Sequence, residues 1–130
     1  MKAKALLKNA VWHLENAREI LREKGKKEGQ FYTDDKYVSI AGHTAYRGVL
    51  LALNELMKQH GIKKKTRKHV VDYRDFIAKI DRKTLNYFNT VYENLHLVMG
   101  YNGIEEVNTV KSGLECADEI ILWVNKKLKN

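Results

Sequence analysis

Apolar residues recur three and four positions apart along almost the whole chain. That is the spacing of an α-helix burying one side, whereas the strict alternation of a half-buried strand is scarce. The first run predicts a helix from about Ala3 to Lys24, with Leu6, Leu7, Ala10, Leu14, Ala17 and Leu21 as its buried stripe and Val11 and Ile20 flanking it. Gly25 and Gly29 end that helix and bracket a polar turn, "GKKEG". A second helix begins at "TDDK", where Thr33 or Asp34 can accept the free amide hydrogens of the first turn, and continues to about His60. Gly42, Ala45, Gly48 and Ala52 lie inside it. Each glycine gives up about 1 kcal/mol of helix propensity relative to alanine, so close approach of another helix is the simplest compensation.

"VVDYRDFIAKI" predicts a short helix from about Asp72 to Ile80, and Asp81 fits the N-cap of a longer one through "RKTLNYFNTVYENLHLVM". Leu85, Phe88, Tyr92, Leu95 and Met99 are spaced three, four, three, four, which makes them one buried stripe, with Gly100 as the helix stop. After a turn at "YNG", a last helix runs from about Ile104 to Leu128, its stripe being Val107, Val110, Leu114, Ala117, Ile121, Val124 and Leu128. The expected fold is all-α: a single domain over residues 1–130, built as an antiparallel four-helix bundle with an additional short helix.

Composition fits this. Apolar residues make up 44% and charged residues 31% of the 130 positions, a balance that lets a soluble domain bury a core. No stretch approaches the roughly 18 apolar residues of a membrane span. Asn9, His13, Glu15 and Asn16 interrupt the N-terminal run before it can form a signal core. No membrane partner and a cytoplasmic location are therefore expected. Cys116 is the only cysteine, which excludes an internal disulfide and a multi-thiolate zinc site and leaves a buried, inert thiol as the expectation.

The formal net charge of +8 favours acidic partners, and its distribution says where. Lys63, Lys64, Lys65, Arg67 and Lys68 crowd the connection after the second helix, as either an anion-binding loop or a solvated linker. No aromatic residue is interleaved there to stack on bases.

His96 flanks the stripe of its helix and shares a face with Tyr92. Its type suits general acid or base work, and equally a partly buried imidazole bonded to a neighbouring helix. His43 and Arg47, four residues apart beside Tyr46, can bind an anion or tie helices together through Glu93, Glu105 or another acidic group. Tyr92, His96 and Tyr101, with His43 and Arg47 across from them, mark the expected pocket or polar network. Tyr37, Tyr46, Tyr73, Tyr87, Tyr92 and Tyr101 could line a groove between helices; most of them, with Trp12 and Trp123, read as core or core-edge residues.

Other chemistry lacks its pattern. The histidines at 13, 43, 60, 69 and 96 include no i, i+4 pair, so no metal or cofactor is expected. "GHTAYRG" has neither the spacing nor the lysine of a phosphate loop, and "YTDDKYVSIAG" lacks the ligand alternation of a calcium loop. Ser39 and Ser112 lie in helical patterns without a nucleophile turn. The acidic pairs Asp34–Asp35 and Glu105–Glu106 fall at expected helix starts, where they complement the helix dipole.

"KYVSIAGHTAYRGVLLALNELM" followed by "DYRDFIAKIDRKTLNYFNTVYENLHLVMGYNG" resembles a small bacterial family of uncharacterised all-helical proteins, over nearly the whole chain. The aromatic and small residues of the second helix resemble, more distantly, the HEPN superfamily of helical bundles. That resemblance implies an HEPN-like bundle and a homodimer, and in catalytic members a ribonuclease with an arginine a few residues ahead of a histidine. Ahead of His96 those places hold Asn89, Thr90 and Val91, and the nearest upstream arginine is Arg82. The expectation is thus a non-enzymatic protein-interaction module, with a metal-independent RNA-binding protein or ribonuclease using His96 as the alternative.

Overall fold

A computed structural model describes residues 5–62, 67–102 and 105–129. The chain is mostly helical. Its elements are α1 (Lys8–Lys24), β1 (Lys27–Glu28), β2 (Phe31–Tyr32), α2 (Asp35–Gln59), α3 (Val70–Ala78), α4 (Arg82–Val91) running directly into a π-helical segment (Tyr92–Asn102), β3 (Glu105–Glu106) and α5 (Val107–Lys129). No helix among the described residues is long and apolar enough to cross a membrane.

Burial follows the three-and-four spacing. Leu7, Ala10, Leu14, Ala17 and Leu21 of the first stripe are buried, while Leu6 and Val11 face solvent. Val110, Leu114, Ala117, Ile121 and Val124 of α5 are buried together with Ile120. Asp34 caps α2, its carboxylate accepting the Tyr37 backbone N–H at 3.4 Å, and Asp81 caps α4 through Thr84. The short helix begins two residues earlier than Asp72, at Val70, and the Asp72 carboxylate accepts the His69 backbone N–H at 2.6 Å.

α2 packs against α1, the π-helical segment and α5. A Cβ at Gly48 would meet Ala10 and Leu14 of α1 at 2.9 and 2.8 Å, and one at Gly42 would lie 2.5 Å from the Leu95 carbonyl oxygen. Gly113 on α5 approaches Leu95 from the other side, where a Cβ would sit 2.8 Å from Leu95 Cδ2. The missing side chains let these backbones come close, which offsets their poor helix propensity.

Three expectations are corrected. Gly100 does not stop its helix, which continues through it to Asn102 with i to i+5 hydrogen bonds. Gly100 serves close approach instead: a Cβ there would lie 2.7 Å from the His43 ring, and its carbonyl accepts the Ser39 hydroxyl at 2.5 Å. Glu105 and Glu106 do not open the last helix. They form β3, paired antiparallel with Phe31 and Tyr32, and α5 starts at Val107, whose N–H donates to the Gln30 carbonyl at 2.7 Å. The "GKKEG" turn is part of a hairpin in which Lys27 and Glu28 pair with Tyr32 and Phe31. Gly29 supplies the positive φ, +60°, that the first position of such a two-residue turn requires.

Candidate functional site

α2 and the π-helical segment bring one cluster of rings together. His96 stacks on Tyr46 at 4.5 Å between centroids and 25° between planes, and Tyr92 lies 5.3 Å away. His43 at 5.7 Å and Tyr101 at 5.3 Å meet the same imidazole edge to face. Tyr101 reaches it because the helix is π-helical there. Residues five apart point well away from each other on an α-helix, but an i to i+5 hydrogen-bonded helix sets Tyr101 over His96.

On one side of this cluster a cleft of about 530 Å³ opens between α2, residues 67–69, α3 and the π-helical segment. His96, Tyr46 and Tyr92 form part of its wall, with Tyr73 of α3 opposite, and Arg47, Arg67, Lys68 and His69 add donors. No aspartate or glutamate is among the residues lining it. Arg47, Arg67 and Lys68 pair with no carboxylate among the described residues. Three permanent positive charges thus line a partly apolar cavity with no carboxylate among its described lining residues, an arrangement that attracts an anion.

Neighbouring contacts hold the walls. The Tyr73 hydroxyl donates to Asn54 Oδ1 at 3.0 Å. The Arg74 guanidinium lies 4.9 Å over the Tyr92 ring, and its Nε donates to Asn89 Oδ1 at 3.0 Å. Asn94 anchors the π-helical segment to α5 by donating to the Thr109 carbonyl at 3.0 Å.

Burial sets the electrostatics. It pushes the Tyr46 hydroxyl up to about 12, and the Tyr73 hydroxyl upward as well, so both stay protonated donors at neutral pH. Burial, then the neighbouring His43, lowers the His96 imidazole below its ordinary value. His96 Nδ1 is buried with no hydrogen-bond partner among the described residues.

A family model for a domain of unknown function, DUF5618, matches residues 5–126. The chain belongs to the DUF5618 family. It is also similar to a solved structure of a protein of unknown function from Dyadobacter fermentans, with 48% sequence identity, a TM-score of 0.90, and 97% of this chain and 98% of that chain covered. No curated protein matches.

In this DUF5618 chain, the residues singled out from sequence fall in two groups. His43, Tyr92, His96 and Tyr101 meet around the His96 ring, but His43 and Tyr101 do not line the cleft. Arg47, Tyr92 and His96 line it, joined by Arg67 and Lys68 from the basic connection. Lys63, Lys64 and Lys65 lie outside the described residues. Glu93 and Arg47 form no ion pair with one another, and Glu105 is on β3.

Asn54 and His69 were not expected at the site, and Tyr46 and Tyr73 were expected only among the six tyrosines that could line a groove. Tyr46 sits beside Arg47 and fits the i, i+3 relation to His43, a signal available in the sequence. Tyr73 and His69 are placed by the way α3 folds back, which no local spacing encodes. Cys116 is half-buried rather than fully buried, and burial raises its thiol. Among the described residues no group of three or more histidine, cysteine, aspartate or glutamate side chains converges as metal ligands.

Proposed function

We propose that this protein is a non-enzymatic binding module whose cleft holds a nucleotide phosphate, free or within single-stranded RNA. The observation that carries this reading is a lining with three cations that pair with no carboxylate among the described residues, three tyrosines and no aspartate or glutamate. Cationic side chains neutralise phosphate, and Tyr92, the one partly exposed ring of the three tyrosines, can offer a base some of its surface, whereas Tyr46 and Tyr73 are nearly buried and build the wall. A catalytic role for His96 gains no support from its surroundings: among the described residues no carboxylate orients its ring, and the HEPN arginine has no counterpart ahead of it. The packing of α1 on α2 and of α4 on α5 supports reading the four long helical stretches as an antiparallel, HEPN-like bundle. A cytoplasmic setting belongs to the same reading.

The test is RNA binding across a salt series, with adenosine monophosphate as competitor and Arg47→Gln as the variant. The expected result is binding that weakens with salt, is displaced by the mononucleotide, and loses about one unit of salt slope in the variant. Salt-independent binding, or none, refutes the reading. RNA cleavage that disappears in His96→Ala would establish the ribonuclease alternative instead.

A homodimer is the second reading, supported by exposed Leu6, Val11 and Trp12 at the start of the chain. A monomer mass by light scattering on the same sample overturns it.

A further inference from the structure

The two nitrogens of His96 stand in different surroundings. Nδ1 is buried and meets no acceptor or donor among the described residues, whereas His96 is one of the residues lining the cleft, which leaves Nε2 as the ring nitrogen free to face it. The rings packed on the imidazole are His43, Tyr46, Tyr92 and Tyr101, and none of them hydrogen-bonds Nδ1.

A neutral imidazole carries one proton, on either nitrogen. With the proton on Nδ1, a buried N–H would lack an acceptor, which native structures rarely tolerate; with the proton on Nε2, only a lone pair goes unmet, a milder defect. The imidazolium is worse than either neutral form. It leaves the same buried N–H unsatisfied and adds a charge beside His43.

We propose that His96 is held as the Nε2–H tautomer, so that it offers the cleft a neutral hydrogen-bond donor for a phosphate oxygen and no basic nitrogen. This rests on the cleft reading above and deepens it. Because the reachable nitrogen already carries its proton, His96 does not take one from a ribose hydroxyl. His96 selects for an acceptor on the ligand, and the cations around it supply the charge. Tyr46, stacked on the ring, and Tyr101, edge-on, fix the orientation that aims Nε2 and are positioning residues.

The test is a long-range proton–nitrogen NMR correlation on the nitrogen-15-labelled protein at neutral pH, with His96→Gln used to assign the signals. The expected spectrum has a protonated Nε2 and a bare Nδ1. A protonated Nδ1, an equal mixture or an imidazolium overturns the proposal. This reading is made on the free protein, so it stands or falls whether or not a nucleotide binds. In titrations with adenosine monophosphate, His96→Gln, which keeps a donor near the Nε2 position, should stay within about twofold of wild type, while His96→Ala weakens binding about fivefold. Equal losses in the two variants overturn the donor role. Absence of wild-type binding beside an Nε2–H spectrum overturns the cleft reading alone.

Discussion

Replacing Gly42 by alanine sets two local effects against each other. Alanine in the middle of α2 gains about 1 kcal/mol of helix propensity over glycine, and on an isolated helix that would be the whole result. In the folded chain the new methyl would lie 2.5 Å from the Leu95 carbonyl oxygen, 2.7 Å from Met99 Cβ and 3.1 Å from the Gly100 nitrogen. Two of these atoms are backbone and the third is a Cβ, so no rotamer change relieves the clash, and the π-helical segment must move away from α2. Forcing an extra methyl into such a contact costs about 3 kcal/mol, the upper part of the usual overpacking range. The expected net loss is therefore about 2 kcal/mol. For a chain of this size that corresponds to a fall in melting temperature of roughly 6–10 °C. Urea unfolding followed by circular dichroism measures it as a lower midpoint at unchanged slope. A Gly42→Ala protein as stable as wild type, or more stable, would refute the claim that this glycine exists for helix approach.

Two further outcomes are expected. Because burial and His43 lower the His96 imidazole, the unfolded chain takes up this proton at a higher pH than the folded one, so the stability linked to His96 is intact above about pH 6.5 and is lost as pH falls through the lowered value. Stability against pH should fall less steeply on that acid limb in His96→Gln, and an unchanged slope would contradict it. Arg18 and Asp118 join α1 to α5 through two hydrogen bonds, of 2.6 and 3.1 Å, yet both side chains are more than a third exposed. A double-mutant cycle with alanine at each position should return a coupling of about 0.5–1 kcal/mol, shrinking with added salt; several kcal/mol would show a pair screened from water.

Helices were legible because burial on a packed helix repeats every three to four residues whatever its partner. Phe88, Leu95 and Met99 are buried as their spacing requires, and so are Leu14 and Leu21. Leu6 and Val11 follow the same pattern yet are exposed, since periodicity gives a face and not what lies against it. Strands of two residues have no period to detect, which hid β1, β2 and β3 and left Glu105 and Glu106 looking like a helix start. The π-helical form hid in the same way: a three-and-four stripe from Leu85 to Met99 is equally compatible with α-helix, and the wider turn shows only in Tyr101 reaching His96. At the site, His96 and Arg47 announce themselves by residue type. The stacking of Tyr46 depends on α2 meeting the π-helical segment, and the arrival of Arg67 and Lys68 at a cleft whose described lining holds no carboxylate depends on α3 folding back; neither tertiary event has a local signature.

The small sheet changes where this chain can be cut or extended. A polar, lysine-rich connection between two helices is ordinarily the place to insert a tag, split a protein for complementation or open new termini. Here the backbone of that connection is committed at both ends: Thr33 and Asp34 donate to the Gly25 carbonyl, and Gln30, Phe31 and Tyr32 hold the entry to α5. A splice between Gly25 and Thr33 would release the start of the last helix, more than seventy residues downstream, along with the first loop. Its effect would be felt as a loss of cooperativity between the two ends of the fold rather than as a local defect.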